Sequence, residues 1–268
     1  RRALDRQRPG GPGGVGGSRP AVDVGGDLVG LEALGDQVAH PPGQHGLHAQ
    51  ERADALGLQK FASAVGPDEI QMPSVRGVGG SLVYFVKDGA EEELWAHEFP
   101  HPVAPGGALI PLGLEQVDHI AQTMQFEEFL SWQLFYVSLF DMQKSPQLEI
   151  ADPMGIVYSQ AVETASRGVR FTLNGSMAAN ALSSRFIHNY FGAGVQHIAF
   201  ATPDAFAAAE RARAAGLPML EIGPNYYADL EARFGLPTEL VERMARLNLL
   251  YDRDDKGEYF QFYSRAVA

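Results

Sequence analysis

From residue 117 onward the chain alternates short strand-like runs with stretches of helical spacing, and the order starts over once. VDHIA (117–121) reads as a buried-looking strand. In FEEFLSWQLFYVSLF (126–140), Phe126, Phe129, Leu130, Leu134 and Val137 recur at helical spacing, predicting a helix whose apolar stripe packs on a sheet. LEIADPMGIVYSQAV (148–162) reads as strand, Asp-Pro-Met-Gly turn, strand, and VRFTLNGS (169–176) as a third strand running into a turn. VQHIA (195–199) then opens a second series. TPDAFAAAERARAAGLP (202–218) predicts a helix with Thr202 at the N-cap, Pro203 at the first helical position, and Gly216 and Pro218 at the stop. PTELVERMARLN (237–248) is a further amphipathic helix, and LLYDRDDKGEYFQFYSRAV (249–267) a hairpin turning at Asp252–Gly257.

The preceding part is less regular. QERADALGLQKF (50–61) predicts a short helix ended by Gly57 with a strand after it. IQMPSVRGVGGSLVYFVKDG (70–89) predicts a loop feeding the strand Ser81–Val86. HEFPHPVAPGGALIPLG (97–113) has no period and is rich in Pro and Gly, so it reads as a linker whose His97 and His101 are solvated. Residues 1–43, as in RPGGPGGVGGSRP, hold too little apolar surface to offset the chain entropy of ordering. They read as a disordered linker or an artefactual stretch and are assigned no function.

Two series of strand, helix and further strands, each opening on V-x-H-I-A, predict an α+β fold of paired βαβββ modules. Each sheet would be half covered alone and would bury its open side against its twin. Strand alternation sends His119 and His197 to one face, into a shared concavity. Taken singly, either histidine reads more simply as a core residue satisfied by hydrogen bonds. Recurrence at the matching place favours a site: two neutral imidazoles converging are part of a metal-ligand set.

Composition narrows the chemistry. The 268 residues carry a formal net charge of −12, which argues against nucleic-acid or anionic-membrane partners. No apolar run approaches the length of a spanning helix. There is no cysteine, so any metal must be held by histidine and carboxylate, and a reducing, cytoplasmic setting is expected.

The segments VDHIA, LNGS, GAGVQHIAFAT, NYYADLEARFG and NLLYDRDDKGEYFQFYS resemble the 4-hydroxyphenylpyruvate dioxygenase family of the vicinal-oxygen-chelate superfamily. RGVGGSLVYFV is similar to the end of that family's N-terminal, non-metal half. Within the family the chain resembles the dioxygenase-like domain fused behind a barrel in some bacterial 3-dehydroshikimate dehydratases. The resemblance covers roughly residues 45–268. It implies vicinal-oxygen-chelate modules, His119 and His197 as ligands of Fe(II) (Mg(II) or Mn(II) being the other candidates), and Ser159, Asn174 and Gln261 as substrate-facing groups. The implied reaction is oxidative decarboxylation and hydroxylation of a 2-oxo acid with O2, in a homo-oligomer. The implied layout is a remnant of the non-metal module at 44–95, a linker at 96–116 and a metal-binding domain at 117–268.

Two departures bear on that reading. Where the family carries a glutamine after Asn174, the segment SMAANALSSRF has Leu182 and Ser183, which puts an aromatic tyrosine-pathway substrate in question. The third ligand is the second departure. Glu258 shares a strand face with Phe260 and Phe262, opposite to Gln261, so alternation turns it away from a metal that Gln261 faces. The resemblance implies a metal glutamate on a further strand after Ala268, with this domain truncated before it. The competing expectations are a lyase context, as the C-terminal domain of a bifunctional dehydratase of quinate and shikimate catabolism leading to protocatechuate, and a metal-free binding module.

Overall fold

The computed structural model describes residues 21–24, 45–62, 64–66, 69–86, 89–98, 110–152, 154–255 and 257–266. Its first part holds strand β1 (Ala21–Val24), helix α1 (His45–Ala55), strands β2 (Lys60–Phe61) and β3 (Ser74–Arg76), a 3-10 turn (Val78–Gly80), strand β4 (Leu82–Tyr84) and helix α2 (Glu91–Glu98). The first full module runs β5 (Gln116–Thr123), a 3-10 turn (Phe126–Glu128), α3 (Phe129–Phe140), β6 (Gln143–Lys144), β7 (Leu148–Asp152), β8 (Gly155–Glu163) and β9 (Arg170–Gly175). Helix α4 (Leu182–Tyr190) links it to β10 (Gly194–Ala201), α5 (Ala205–Ala214), α6 (Pro224–Phe234), α7 (Thr238–Leu247), β11 (Leu250–Arg253) and β12 (Glu258–Tyr263).

The sheet shows why the chain repeats itself. Its order is β11-β12-β1-β10-β5-β9-β8-β6, with β7 pairing β8 beside β6. The modules meet where β5 and β10 pair antiparallel, Ile120 opposite Ile198, His119 opposite Ala199 and Ala121 opposite His197. Each V-x-H-I-A is thus laid on the other about a local twofold through the isoleucine pair. The ladder slips between Val195 and His197, and again where Ala199 and Phe200 face His119 and Val117. The extra residues of these bulges are Gln196 and Asp118, the x of the motif in both copies. A bulge re-aims the side chains beside it, so the repeat copies a local deformation as well as a strand.

In the first module β9 runs parallel to β5 and antiparallel to β8. The equivalent place beside β10 is held by β1, antiparallel to β10 and parallel to β12. Its direction is opposite to that of β9. Residues 21–24 lie within the Gly- and Pro-rich stretch expected to lack regular structure; the rest of 1–43 falls outside the described residues.

One core fills the space between α3 and the sheet around Met124, Phe129, Tyr136, Phe171 and Leu173. A second lies under α5, α6 and α7, around Leu230, Met244, Leu249 and Phe262. Helices α3 and α5–α7 therefore cover one face of the sheet and the histidine face is the other, while α4 packs against β5, β9 and β10. The apolar stripe of α3 is not the expected one. Phe129, Gln133, Tyr136 and Leu139 point inward, whereas Leu130 and Leu134 are exposed. A helix that is apolar nearly all round gives no unique stripe. The buried hydrogen bond from the Tyr136 hydroxyl to Gln122 Oε1 (2.7 Å) accommodates polar groups where leucines were expected.

Further elements differ in detail. Helix α5 begins at Ala205, and its N-cap is Asp204, whose side chain accepts from the Ala207 N–H; Thr202 instead bonds Asp204. Gly216 ends the helix in the left-handed region, as its position predicts. Strand β3, α4 and α6 were not anticipated. His97 lies in α2 inside the expected linker, and His101 lies outside the described residues.

The N-terminal elements are not a loose appendage. Ala53, Val75, Val83 and Phe85 pack with Leu139, Phe135 and Phe140 of α3, and Val78 enters the core beside Ile120 and Ala193. At the joint, Gly79 has φ +63°, and a Cβ there would stand 1.8 Å from the Ala193 carbonyl oxygen. Gly79→Ala therefore combines a left-handed backbone penalty with a clash against main chain. We expect a loss of about 2–3 kcal/mol, read by urea denaturation, against less than about 1 kcal/mol for the spatially open Gly57→Ala.

Candidate metal centre

The bulged pair β5–β10 sets the two histidines on the face opposite the cores under α3 and α5–α7. Their rings stand 5.6 Å apart, centre to centre, at 76°. Two imidazoles held by nitrogen at about 2.1 Å from one ion have ring centres about 5 Å apart, so this spacing suits cis ligation. The rings differ in surroundings. His119 Nδ1 lies 2.8 Å from Asp118 Oδ2. A carboxylate only accepts, so Nδ1 carries the proton and Nε2 is the nitrogen left with a lone pair. The Asp118 carboxyl is held below its usual range, first by the His119 hydrogen bond and also by the Arg170 guanidinium, with burial opposing. His197 is pushed down to about 3, mainly by burial and then by the neighbouring His119, so it is neutral at physiological pH. The Tyr263 ring stands 5.7 Å from it, edge-on.

The other expected site residues fall on the same face. Ser159 of β8 is opposite Asn174 of β9, which is opposite Thr123 of β5. Thr123 is two places from Ala121 and four from His119, so strand alternation puts all of them on the histidine face. Gln261 alternates with Tyr263 and shares its face. Glu258 goes the other way: it alternates with Phe260 and Phe262, and its Oε1 accepts from the Tyr251 hydroxyl at 2.5 Å. Phe262 and Tyr251 belong to the core beneath the helices. Among the described residues no group of three His, Asp or Glu side chains gathers around a common point. The chemistry of the pair suits a divalent metal as two neutral nitrogen ligands of a larger set.

Three buried hydroxyls add to this face or its rim. Thr123 and Thr172 on β5 and β9, and Ser183 on α4, have side-chain oxygens without a hydrogen-bond partner. Thr172 is flanked by Ala121 and Ala161, small residues that leave room above the sheet. Leu182 is exposed while Ser183 is buried, so the residue reaching inward from the expected glutamine position is a short hydroxyl. Asp118, Thr172 and Tyr263 carried no separate signal in the sequence, although the aspartate adjoining the histidine in VDHIA was visible.

Comparison with protein-family models found no match. The chain is 41% identical over 218 residues to a 3-dehydroshikimate dehydratase of Pseudomonas aeruginosa, covering 81% of this chain and 34% of the relative. It is 25% identical over 217 residues to a 4-hydroxyphenylpyruvate dioxygenase of the same organism, covering 80% and 61%. It thus spans about a third of the length of the dehydratase. Among solved structures, a xylose isomerase-like TIM barrel/4-hydroxyphenylpyruvate dioxygenase fusion protein superposes with a TM-score of 0.61 at 32% identity, over 84% of this chain and 37% of that one. The fold is of the vicinal-oxygen-chelate type.

The depressed pKa of His197 sets a pH dependence for the metal-free protein. The unfolded chain takes up a proton near pH 6.5, whereas the folded one does so only near 3. Between those values the unfolded state binds more protons, so stability falls as pH falls. Relative to His197→Gln, the parent protein should lose about 1 kcal/mol more on going from pH 7 to 5.5, measured by paired denaturation curves.

Proposed function

We propose that this chain, a relative of 3-dehydroshikimate dehydratases and 4-hydroxyphenylpyruvate dioxygenases, is the metal-binding, dioxygenase-like domain of a dehydratase-type protein. It would hold a divalent cation, Fe(II) first and Mn(II) or Mg(II) as substitutes, through His119 and His197. The observation that carries this reading is the pairing of the two motif histidines on one face, 5.6 Å apart. The dehydratase context is favoured by the higher identity to that relative, 41% against 25%.

The chain's own residues define what such a site does. His197, half-buried and uncharged, is a nitrogen donor that does not compete with a proton at neutral pH. His119 presents Nε2 because Nδ1 is engaged by Asp118. Asn174, Ser159 and Gln261, with the hydroxyls of Thr123 and Thr172, supply uncharged donors and acceptors to orient a small oxygen-rich substrate. A 2-oxo acid fits that set, with carboxylate and keto oxygens that would suit a bound divalent cation. Iron, when bound, supplies the redox chemistry by which O2 drives decarboxylation and hydroxylation. The short Ser183, where the dioxygenases carry glutamine, fits a smaller or more hydroxylated substrate than a phenylpyruvate. A cytoplasmic homo-oligomer is the expected setting; among the described residues no helix is long and apolar enough to cross a membrane.

A second reading, a binding module without metal, is favoured by the lack of a third ligand among the described residues. Calorimetric titration of Mn(II) or anaerobic Fe(II) separates the two. The parent protein should bind, His197→Ala should abolish binding, and Glu258→Ala should leave it within about 2-fold, as expected for a carboxylate outside the site. Absence of binding by the parent supports the metal-free module. Binding that vanishes in Glu258→Ala would overturn the strand alignment.

A further inference from the structure

We infer that Asp118 is a positioning residue that fixes the tautomer and aim of His119, and that Arg170 and Glu163 hold Asp118 for the task. The metal part of this inference rests on the reading just given; the tautomer part does not. Consecutive residues of a regular strand point to opposite faces, so Asp118 should not reach its neighbour's ring. It does so because it is the extra residue of the β5 bulge, unpaired in the ladder with β10. Its Oδ2 lies 2.8 Å from His119 Nδ1 and 3.4 Å from the Arg170 Nη1. Arg170 in turn donates from Nε to Glu163 Oε2 at 2.9 Å, directly across the β8–β9 ladder. The row Glu163–Arg170–Asp118–His119 thus crosses the sheet face as alternating charges ending on the imidazole.

The two modules differ at this point. The x of the motif is Asp118 in the first copy and Gln196 in the second, and both are bulge residues. A carboxylate beside a metal histidine fixes which nitrogen is bare and raises its basicity; an amide does the first weakly and the second hardly at all. His119 is therefore the ring of the pair that a neighbouring carboxylate orients. The half-buried setting of Asp118 and Arg170 keeps the row from being fully screened by solvent.

Two readouts test this. In the metal-free protein, long-range 15N correlations of the imidazole report the His119 tautomer. The proton should reside on Nδ1 in the parent and be redistributed in Asp118→Asn. In Mn(II) titrations the same variant should bind about 10- to 100-fold more weakly, and Asp118→Glu should recover part of that loss. Arg170→Gln, which keeps the carboxylate and removes its outer partner, should weaken binding by about 3-fold. It takes the place of Asp118→Asn should that variant not fold. Unchanged tautomer and unchanged affinity in Asp118→Asn overturn the inference. If the parent binds no Mn(II), the metal reading of the previous section falls, and the ring spectra alone decide whether Asp118 sets the tautomer.

Discussion

The antiparallel pairing of β5 with β10 is the constraint on which the site depends. It joins the modules, places the isoleucines of the two motifs opposite one another, and brings each histidine across from the other copy's alanine. Alanine at those places matters as much as histidine. A larger side chain opposite either ring would fill the space between them. The bulges at Asp118 and Gln196 complete the arrangement, because each turns its strand just ahead of the histidine. None of this depends on a loop. Both rings sit on central strands whose other faces are packed against helices, so their separation is set by sheet geometry and core density rather than by mobile segments.

Much of this was legible beforehand, for identifiable reasons. The repeated V-x-H-I-A fixed the module pair because strand alternation leaves little freedom in where the third residue points. The hairpins at Asp152–Gly155 and Arg253–Glu258 were announced by turn residues. Glu258 could be set aside by counting along the strand, since Gln261 and Glu258 differ by an odd number of places. What stayed hidden was cooperative. No local pattern says that Asp118 is bulged, because a bulge is a property of two strands in register. The inward face of α3 was ambiguous because nearly every face is apolar, and the Tyr136–Gln122 pair that selects it spans two elements. Helices α4 and α6 were missed although both are amphipathic, because no cap or turn residue was read as their boundary.

The two histidines are related by the repeat but not equivalent in their surroundings. His197 is half-buried, between His119 and Tyr263, and desolvation keeps it uncharged. His119 is tied to a carboxylate and, through it, to a guanidinium and a second carboxylate. Duplication supplies two rings, and divergence at the neighbouring residue gives one of them a carboxylate beside it. An acidic protein with net charge −12 attracts cations generally; the proposed metal site would instead select a divalent ion locally, by the geometry of its nitrogen donors.

The slot between β10 and β12 follows a different logic. A ladder of N–H and C=O groups is satisfied by a strand of either direction, and here β1 runs opposite to β9, its counterpart in the first module. Backbone pairing alone therefore closes the sheet and removes an exposed edge beside Gln261. It does not by itself determine which side chains reach the histidine face, because reversing a strand changes the residue presented at each register position. Closure of the sheet and completion of a ligand set are thus separable properties of the same slot. The first is a matter of hydrogen bonds, and the second of which side chain each register position presents.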